Sequence, residues 1–426
     1  MDNTVIVAGG GFAGVSAALA AKYLGADVTL LERTDMLLGT GLVGGIMRNN
    51  GRFTAAEEAI AMGFSELFQV INSNCRHQNI SFPGHAHASL YDIAKLEPAI
   101  RSLLEKSGVS IRFLSRARDV HMKNGCIEYI VTDAGEHIAG NVFLDATGTA
   151  GPMNHCRQHG NGCAMCVLRC PSFGGRISLA AKAGVREMIC LRPDGAFGAM
   201  SGSCKLFKES LSGEIQHTLN KNGVCIIPLP AALIREGALE RKACQQYALR
   251  EYEENIVLLD TGHAKLMSPY YPLSALRKVP GLENARYEDP YAGGIGNSIR
   301  YMAMCPRDNA LRVLGVDNLY CAGEKAGLLV GHTEAIVTGM LAGHNAARQS
   351  MGLAPVVLPQ STAIGDAIAY VKHEMRTEQG RMKKYTFSGS CYFERMREKG
   401  LYTTDIRAIQ KRIQAEGLTN AFQNRV

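Results

Sequence analysis

The sequence predicts a doubly wound, Rossmann-like α/β protein with an inserted α+β domain and a helical, basic C-terminal tail. Three observations carry this reading. The chain opens on a strand, glycine turn, helix and second strand between Thr4 and Arg33. An apolar strand at 141–145 then ends in a turn of small residues, Ala146-Thr147-Gly148-Thr149, and a strand, turn and Ala/Gly-rich helix recur between Val313 and Arg348. Between the last two the pattern changes to mixed short strands and helices, which reads as an insertion. The expected organisation is a first part of a dinucleotide domain at 1–150, a substrate-facing insertion at 151–308, a closing part at 309–350, and a basic helical region at 351–426.

The opening stretch is the most informative. The apolar run Val5 to Ala8 enters Gly9-Gly10-Gly11-Phe12-Ala13-Gly14, an Ala-rich helical stretch follows, and a second apolar strand ends on Glu32 and Arg33. Gly9 permits the tight turn, Gly11 lets the backbone approach a pyrophosphate, and Gly14 lets helix and strand lie close, leaving phosphate charge at the helix N-terminus. Glu32, eighteen residues after Gly14, stands where an acidic side chain holds a ribose hydroxyl. Strand, helix, second strand and terminal acid together point to a bound adenine dinucleotide, with Gly9, Gly11, Phe12, Ala13, Gly14, Glu32 and Arg33 as its first contacts.

Composition sets the limits. With 426 residues, 46% hydrophobic and 20% charged, the chain is long enough for two or three cores and is not of disordered composition. The apolar segment from Val5 to Ala21 lacks a basic leader and is broken by the glycine turn, so neither a signal peptide nor a membrane span is expected there, and a soluble cytoplasmic protein without a membrane partner is. Thirteen cysteines in such a chain argue for free thiols, metal ligands or redox chemistry rather than a disulfide scaffold.

After Glu32, the loop Leu38-Gly39-Thr40-Gly41 with Val43-Gly44-Gly45 suits close wrapping of a cofactor, with Gly39, Thr40 and Gly44 as contacts. Thr54-Ala55-Ala56-Glu57 reads as a capping box opening a helix to about Ile71, and Ser81 to His87 as a loop. Helical spacing spans Ile93 to Lys106, and strand-like runs follow at Ser110–Leu114, Cys126–Thr132 and Asn141–Asp145. The turn carrying Thr147 and Gly148 stands at the carboxyl end of a strand, where ligands lie in open α/β sheets. Near the end of the pattern come a strand at Val313–Ala322, the turn Gly323-Glu324-Lys325-Ala326-Gly327, and a helix from Thr333 to Arg348. Its N-terminus at Gly331-His332-Thr333 would offer backbone N–H groups to negative charge on a cofactor ring.

Three blocks outside the fingerprint carry a family likeness: Val279 to Ala285 (VPGLENA), Leu319 to Arg348 (LYCAGEKAGLLVGHTEAIVTGMLAGHNAAR) and Pro359 to Tyr370 (PQSTAIGDAIAY), with a weaker echo at Gly174-Gly175-Arg176. In these the chain resembles flavoproteins of the glucose-inhibited division protein A class, and within it the folate-dependent tRNA uracil-methylating flavoproteins. The resemblance implies a glutathione-reductase-type domain holding FAD, with Gly323 and Glu324 beside the flavin chain and Gly331, His332 and Thr333 near the ring. NAD(P)H is then a candidate electron donor. Two departures limit it. The methylating family carries a Cys-Ser-Asn-Ser cysteine in the loop after the second strand, whereas Leu37 to Phe53 here has no cysteine, and its other catalytic cysteine motif has no counterpart before Pro280. The long C-terminal helical domain of the division-protein branch is not expected here either. Fold and cofactor are therefore expected to carry over, and RNA chemistry is not.

Instead the chain has Cys156, Cys163, Cys166 and Cys170 just after Thr149. Three readings stay open: thiolate ligands of an iron–sulfur cluster, a Cys163/Cys166 dithiol exchanging electrons with the flavin, and buried cysteines, with or without zinc, that fix a loop. Cys305 and Cys321 read as isolated. The tail from Val371 to Val426 carries 12 Lys and Arg against 6 Asp and Glu, with tyrosines and phenylalanines among them. That suits an RNA face, a solvated helical surface or a homodimer contact.

The leading expectation is an FAD-dependent oxidoreductase passing electrons to or from a small-molecule substrate, an electron-transfer partner or the cysteine centre. The alternative is a folate- and FAD-dependent enzyme that methylates or otherwise modifies uridine in RNA. A flavin-holding scaffold without turnover is the third.

Overall fold

A computed structural model of the chain describes residues 3–148, 170–192, 194–197, 199–201, 204–237, 245–267, 271–288, 298–300 and 302–425. Its centre is a five-stranded parallel sheet in the order Leu319–Cys321, Val142–Asp145, Thr4–Ala8, Asp27–Leu31, Ser110–Arg112. Val5 pairs with both Val142 and Val28, so the opening strand lies in the middle. Its residues Val5, Ile6 and Val7 are buried, as a strand covered on both faces requires, and this is why the run is continuously apolar rather than alternating. Strand order reverses beside Thr4–Ala8, and the carboxyl ends of the two strands that part there frame the crevice where doubly wound sheets bind ligands.

The helix Phe12–Tyr23 follows the glycine turn, and the helix His332–Ser350 crosses it. The crossing is made by small residues. A Cβ on Gly339 would overlap the Ala13 carbonyl oxygen, and one on Gly343 the Ala17 carbonyl oxygen. Backbone thus meets backbone, and Ser16 seals the seam by donating from Oγ to the Ile336 carbonyl at 2.6 Å. The Ala and Gly content of this distant helix is explained by its partner.

The strand read at Cys126–Thr132 is the middle of an antiparallel meander, Ala117–Lys123, Cys126–Thr132 and His137–Ala139. Its first turn has both Asn124 (φ 50°) and Gly125 (φ 78°) left-handed, the hairpin geometry that an Asn-Gly pair adopts. Between residues 204 and 266, a four-stranded antiparallel sheet in the order Cys204–Leu206, Ala264–Leu266, Asn255–Asp260, Val224–Pro228 builds a core of its own around Leu219, Ile256, Leu258 and Leu266.

Four local expectations need correction. Thr54 does not cap a helix: the helix runs Gly51–Ala61 from Asn50, and Thr54 lies inside it, donating from Oγ1 to the Thr403 carbonyl at 2.6 Å. That helix does not reach Ile71 either, because Gly63 turns left-handed (φ 95°) and a second helix starts at Glu66. The stretch at Ser81–His87 is a hairpin tip, not a loop. Strands Cys75–Phe82 and His85–Tyr91 pair across Pro83-Gly84, and the bulges between them hid the alternation. The closing strand is shorter than Val313–Ala322, at Leu319–Cys321.

The tail is helical, with Ala363–Glu374, Ser390–Glu398 and Ile406–Ala415, and it folds back onto the dinucleotide domain. Phe422 is buried, its N–H bonds the Met62 carbonyl, and the Arg425 N–H bonds that of Tyr23. Among the described residues no helix is long and apolar enough to cross a membrane.

Candidate functional site

The three fingerprint glycines do different work. Gly9 has φ 101°, and a Cβ there would lie 2.5 Å from the Ala146 carbonyl oxygen; one on Gly14 would overlap the Gly9 carbonyl oxygen. Both are therefore required by packing. A Cβ on Gly11 would find only the Leu38 carbonyl oxygen, at 3.9 Å, so its face is open. Gly11 is also the N-cap of the Phe12–Tyr23 helix, with no side-chain cap and no acid in the first turn. The free N–H groups and the positive end of the helix dipole are thus left for an anion.

Glu32 is nearly buried at the end of the second strand. Its Oε2 accepts from the Gly10 N–H at 2.8 Å, and its Oε1 from the Thr34 N–H at 2.8 Å and Oγ1 at 3.0 Å. Two carboxylate oxygens offer about four acceptor positions, so the carboxylate is fixed with a position to spare. Arg33 is turned toward the Gly174 carbonyl. Ala13 meets Gly323 (φ 63°), where a Cβ would lie 2.9 Å from the alanine Cβ, so the turn bearing Gly323 and Glu324 is pressed onto the start of the first helix from far along the chain. On the neighbouring strand, Asp145 Oδ1 accepts from the Thr147 N–H (3.1 Å) and Oγ1 (2.7 Å), which shapes the turn, and Gly148 (φ 75°) is faced by Arg176.

At the other end, Gly39 (φ 50°) and Thr40 lead into the short helix Gly41–Gly44. A Cβ on Gly44 would overlap the His332 ring. That ring packs on Phe12 with centroids 5.1 Å apart and faces Tyr91 at 6.0 Å, while Tyr91 Oη donates to the Gly41 carbonyl at 2.6 Å. Thr333 is buried beside Met47. Gly9, Gly11, Phe12, Ala13, Gly14, Glu32, Gly39, Thr40, Gly44, Thr147, Gly148, Gly323, Glu324, Gly331, His332 and Thr333 therefore converge from four separate stretches.

The comparisons with known proteins follow these pieces. The family of FAD dependent oxidoreductases matches residues 4–153, and glucose inhibited division protein A matches residues 263–354. Among solved structures, GidA of Aquifex aeolicus superposes with a TM-score of 0.65 over 97% of this chain and 76% of that one, at 16% identity. The chain is thus similar to FAD-dependent flavoproteins of the GidA kind. Curated relatives include the methylenetetrahydrofolate–tRNA-(uracil-5-)-methyltransferase TrmFO of Thermus thermophilus, 37% identical over 106 residues, and that of Symbiobacterium thermophilum, 35% identical over 101. The matched stretches make up 22% and 23% of this chain and 21% of each relative, so the chain aligns with about a fifth of these methyltransferases.

Sequence reasoning missed the groups that hold the flavoprotein's long helix in place. Arg52 Nε lies 3.0 Å from both carboxylate oxygens of Glu334, and Glu334 Oε1 also accepts from Thr386 Oγ1 (2.6 Å) and the Phe387 N–H (2.9 Å). Gly331 (φ 151°) is squeezed between the two side chains, and a Cβ would overlap both. Only the acid in the first helical turn was a usable signal; nothing local marks Arg52. The same loop holds three non-glycine residues at positive φ: Leu38 (73°), Arg48 (62°) and Asn50 (54°). Such strain persists where surrounding contacts impose it and gathers at functional loops. Asn50 is held by the carbonyls of Gly84 and Ser388, and Asn49 Nδ2 donates to His85 Nδ1 at 2.9 Å. His85 Nε2 faces the Gln246 carbonyl at 3.1 Å, which assigns the proton to Nε2. Burial, with the Arg52 charge adding, pushes His85 down to about 3, so the ring is neutral.

Cys305 and Cys321 are not isolated: both are buried and their side chains touch each other. Cys305 Sγ lies 3.8 Å from Glu187 Oε1, and Asp145, Glu187 and Cys305 bring three candidate metal ligands together. Lys325 supplies the cation there. Its Nζ contacts Glu187, Ser178 Oγ (2.9 Å) and the Ala303 carbonyl (3.3 Å). Burial opposes its charge, but Asp145, Cys305 and Glu187 together hold its ammonium above the ordinary lysine range. The group reads as a buried ionic lock under the Thr147 turn.

Cys156, Cys163 and Cys166 lie outside the described residues, and Cys170 is described only as the first residue of the short helix Cys170–Phe173. Part of the tail's basicity is used internally. Arg395 and Lys399 hold buried Asp366, and Arg412 holds buried Glu58.

Proposed function

We propose that the flavoprotein is an FAD-dependent enzyme that modifies uridine in RNA, with a folate as one-carbon donor if the modification is methylation. The observation that carries this is tertiary. The block most like the uracil-methylating flavoproteins, Leu319 to Arg348, is docked on the dinucleotide fingerprint through Gly323 on Ala13 and Gly339 beneath the Ala13 carbonyl. The likeness thus bears on the cofactor site rather than on a separate module. Similarity to tRNA (uracil-5-)-methyltransferases and to GidA supports the RNA reading over electron transfer to a cysteine centre.

In this reading the open face at Gly11 and the free helix N-terminus take the pyrophosphate, and Glu32 takes a ribose hydroxyl. The Thr147–Gly148 and Gly323–Glu324 turns flank the cofactor, and Gly39, Thr40, Gly44, His332 and Thr333 surround its reactive end. Bound FAD supplies redox chemistry. The chain's residues bind it, and N–H groups at the start of the His332 helix stabilise negative charge. Arg52 and Glu334 fix that helix start. Since Leu37 to Phe53 contains no cysteine, any thiol nucleophile toward the base comes from another segment.

The test compares nucleosides of total tRNA from cells with and without the gene by mass spectrometry. One modified uridine should be lost on deletion and restored by purified, FAD-loaded protein with methylenetetrahydrofolate and NADH or NADPH. If every modified uridine persists, and the bound flavin instead exchanges electrons with thiols of the 156–170 cluster, the RNA reading is wrong and the cysteine-centred one replaces it.

A further inference from the structure

A cavity of about 560 Å3 lies along the last turn of the Ala363–Glu374 helix, lined by Lys372, His373, Glu374, Arg376 and Arg395 together with Asn309 and Gln360. The charges are not equally available. Arg395 is held by both oxygens of Asp366 at 2.9 Å and lies over the Tyr370 ring, 4.2 Å from its centroid. The lining carboxylate, Glu374, accepts from Tyr385 Oη at 3.0 Å. Among the described residues no hydrogen bond or ion pair involves the side chain of Lys372 or of Arg376. Asn309 Oδ1 is buried in the wall without a donor.

Two uncommitted cations thus face one cavity, four residues apart and straddling a helix end. The helix dipole favours cations there but offsets only about half a charge, and like charges at this spacing repel. Glu374 on the same lining offsets one of them, so the cavity keeps a net positive charge that an anionic ligand would neutralise. A phosphate carries one negative charge as a diester and up to about two as a monoester near neutral pH, and its oxygens match a guanidinium fork and an ammonium together. The planar fork of Arg376 suits two phosphate oxygens, and Lys372 acts as a point charge.

We propose that this cavity binds a phosphate-bearing ligand, either a free phosphate compound or the phosphodiester backbone of RNA. The inference stands apart from the flavin chemistry proposed above, since it needs only these side chains.

The test uses FAD-loaded protein at about 0.05 M salt, where phosphate contacts are strongest, and two probes: inorganic pyrophosphate by calorimetry and a fluorescein-labelled single-stranded RNA oligonucleotide by anisotropy. Because FAD already fills the dinucleotide site, pyrophosphate reports on other sites. K372A/R376A should weaken binding by about tenfold or more and lower the salt slope by about two. It should leave flavin absorbance unchanged, since neither side chain supports the fold, and K372R/R376K, which keeps both charges, should keep the wild-type salt slope. Pyrophosphate binding assigns the free compound as source; binding of the oligonucleotide alone assigns the RNA backbone. Wild-type protein that binds neither probe, or a K372A/R376A protein that binds them as well as wild type does, overturns the proposal. So does a salt slope lowered as much in K372R/R376K as in K372A/R376A, because that would be a structural effect rather than a charge effect.

Discussion

Arg52 and Glu334 stand 282 residues apart in sequence, yet Arg52 Nε is 3.0 Å from both carboxylate oxygens of Glu334, in a place where Arg52 is only 4% exposed and Glu334 not at all. The pair joins the strained loop after the second strand to the first turn of the helix that closes the cofactor site. Breaking one side of a buried pair leaves a charge without a partner, which costs about 3–5 kcal/mol. R52A and E334A should each lower stability by that order in denaturant unfolding and reduce bound flavin. R52M/E334L should recover most of the stability without the flavin. Full stability of R52A would show that the pair contributes nothing.

The helix crossing can be tested through its glycines. Gly339→Ala and Gly343→Ala place a methyl group against the backbone oxygens of Ala13 and Ala17, which cannot retreat as a flexible side chain would. Each should cost about 1–3 kcal/mol and shift the fingerprint helix, with a matching loss of FAD. Gly213→Ala, where a Cβ meets nothing within 4 Å, should change stability by less than about 1 kcal/mol. Equal melting temperatures for all three would contradict a backbone-tight crossing.

Gly11 and Gly14 separate binding from folding. Gly14→Ala overlaps the Gly9 carbonyl oxygen and should prevent a stable dinucleotide domain, whereas Gly11 has φ −67° and open space before it. Gly11→Ala should therefore fold as apoprotein with an unchanged melting temperature and bind FAD at least about tenfold more weakly, because the methyl group takes the place of the pyrophosphate. Normal FAD affinity in Gly11→Ala would move the phosphate site elsewhere.

Acid should destabilise the protein through two histidines. Burial, with the Arg52 charge, holds His85 down at about 3; burial, with Arg348 and Arg425, holds His344 at about 4, packed on Phe422 with ring centroids 4.5 Å apart. Both are neutral when folded, while the unfolded chain takes up protons near 6.5. Their contribution is complete above pH 6.5 and is lost as pH falls toward 4 and then 3, by at most about 8 kcal/mol in total. The check is chemical denaturation across that range. His344→Leu should flatten the upper part of the profile, and an unaltered slope would remove His344 from the account.

How much was legible depends on whether a signal was local. The Thr4–Arg33 fingerprint could be read because turn, helix and acid lie within thirty residues and each has its own steric or polar requirement. Glu32 was found by its spacing, but the Gly10 and Thr34 donors that hold it were not. The hairpin at Cys75–Tyr91 was misread because its register shifts at three places, which breaks the alternation a strand shows. Thr54 imitated a cap because the motif contains only types and spacing, while the real start at Asn50 rests on Gly84 and Ser388, which lie elsewhere in the chain.

By itself, then, the sequence determined a doubly wound domain, a dinucleotide turn at Gly9 to Gly14, and a second Ala/Gly helix in need of a close neighbour. Propensity, periodicity and glycine sterics act over a few residues and can be read without the fold. Only the tertiary structure decided that this neighbour is the fingerprint helix, that Arg52 answers Glu334, that Cys305 sits with Cys321 around Lys325, and that Lys372 and Arg376 remain uncommitted beside a cavity. Those facts depend on which buried charges and bare backbone surfaces meet, and the chain brings them together from segments hundreds of residues apart.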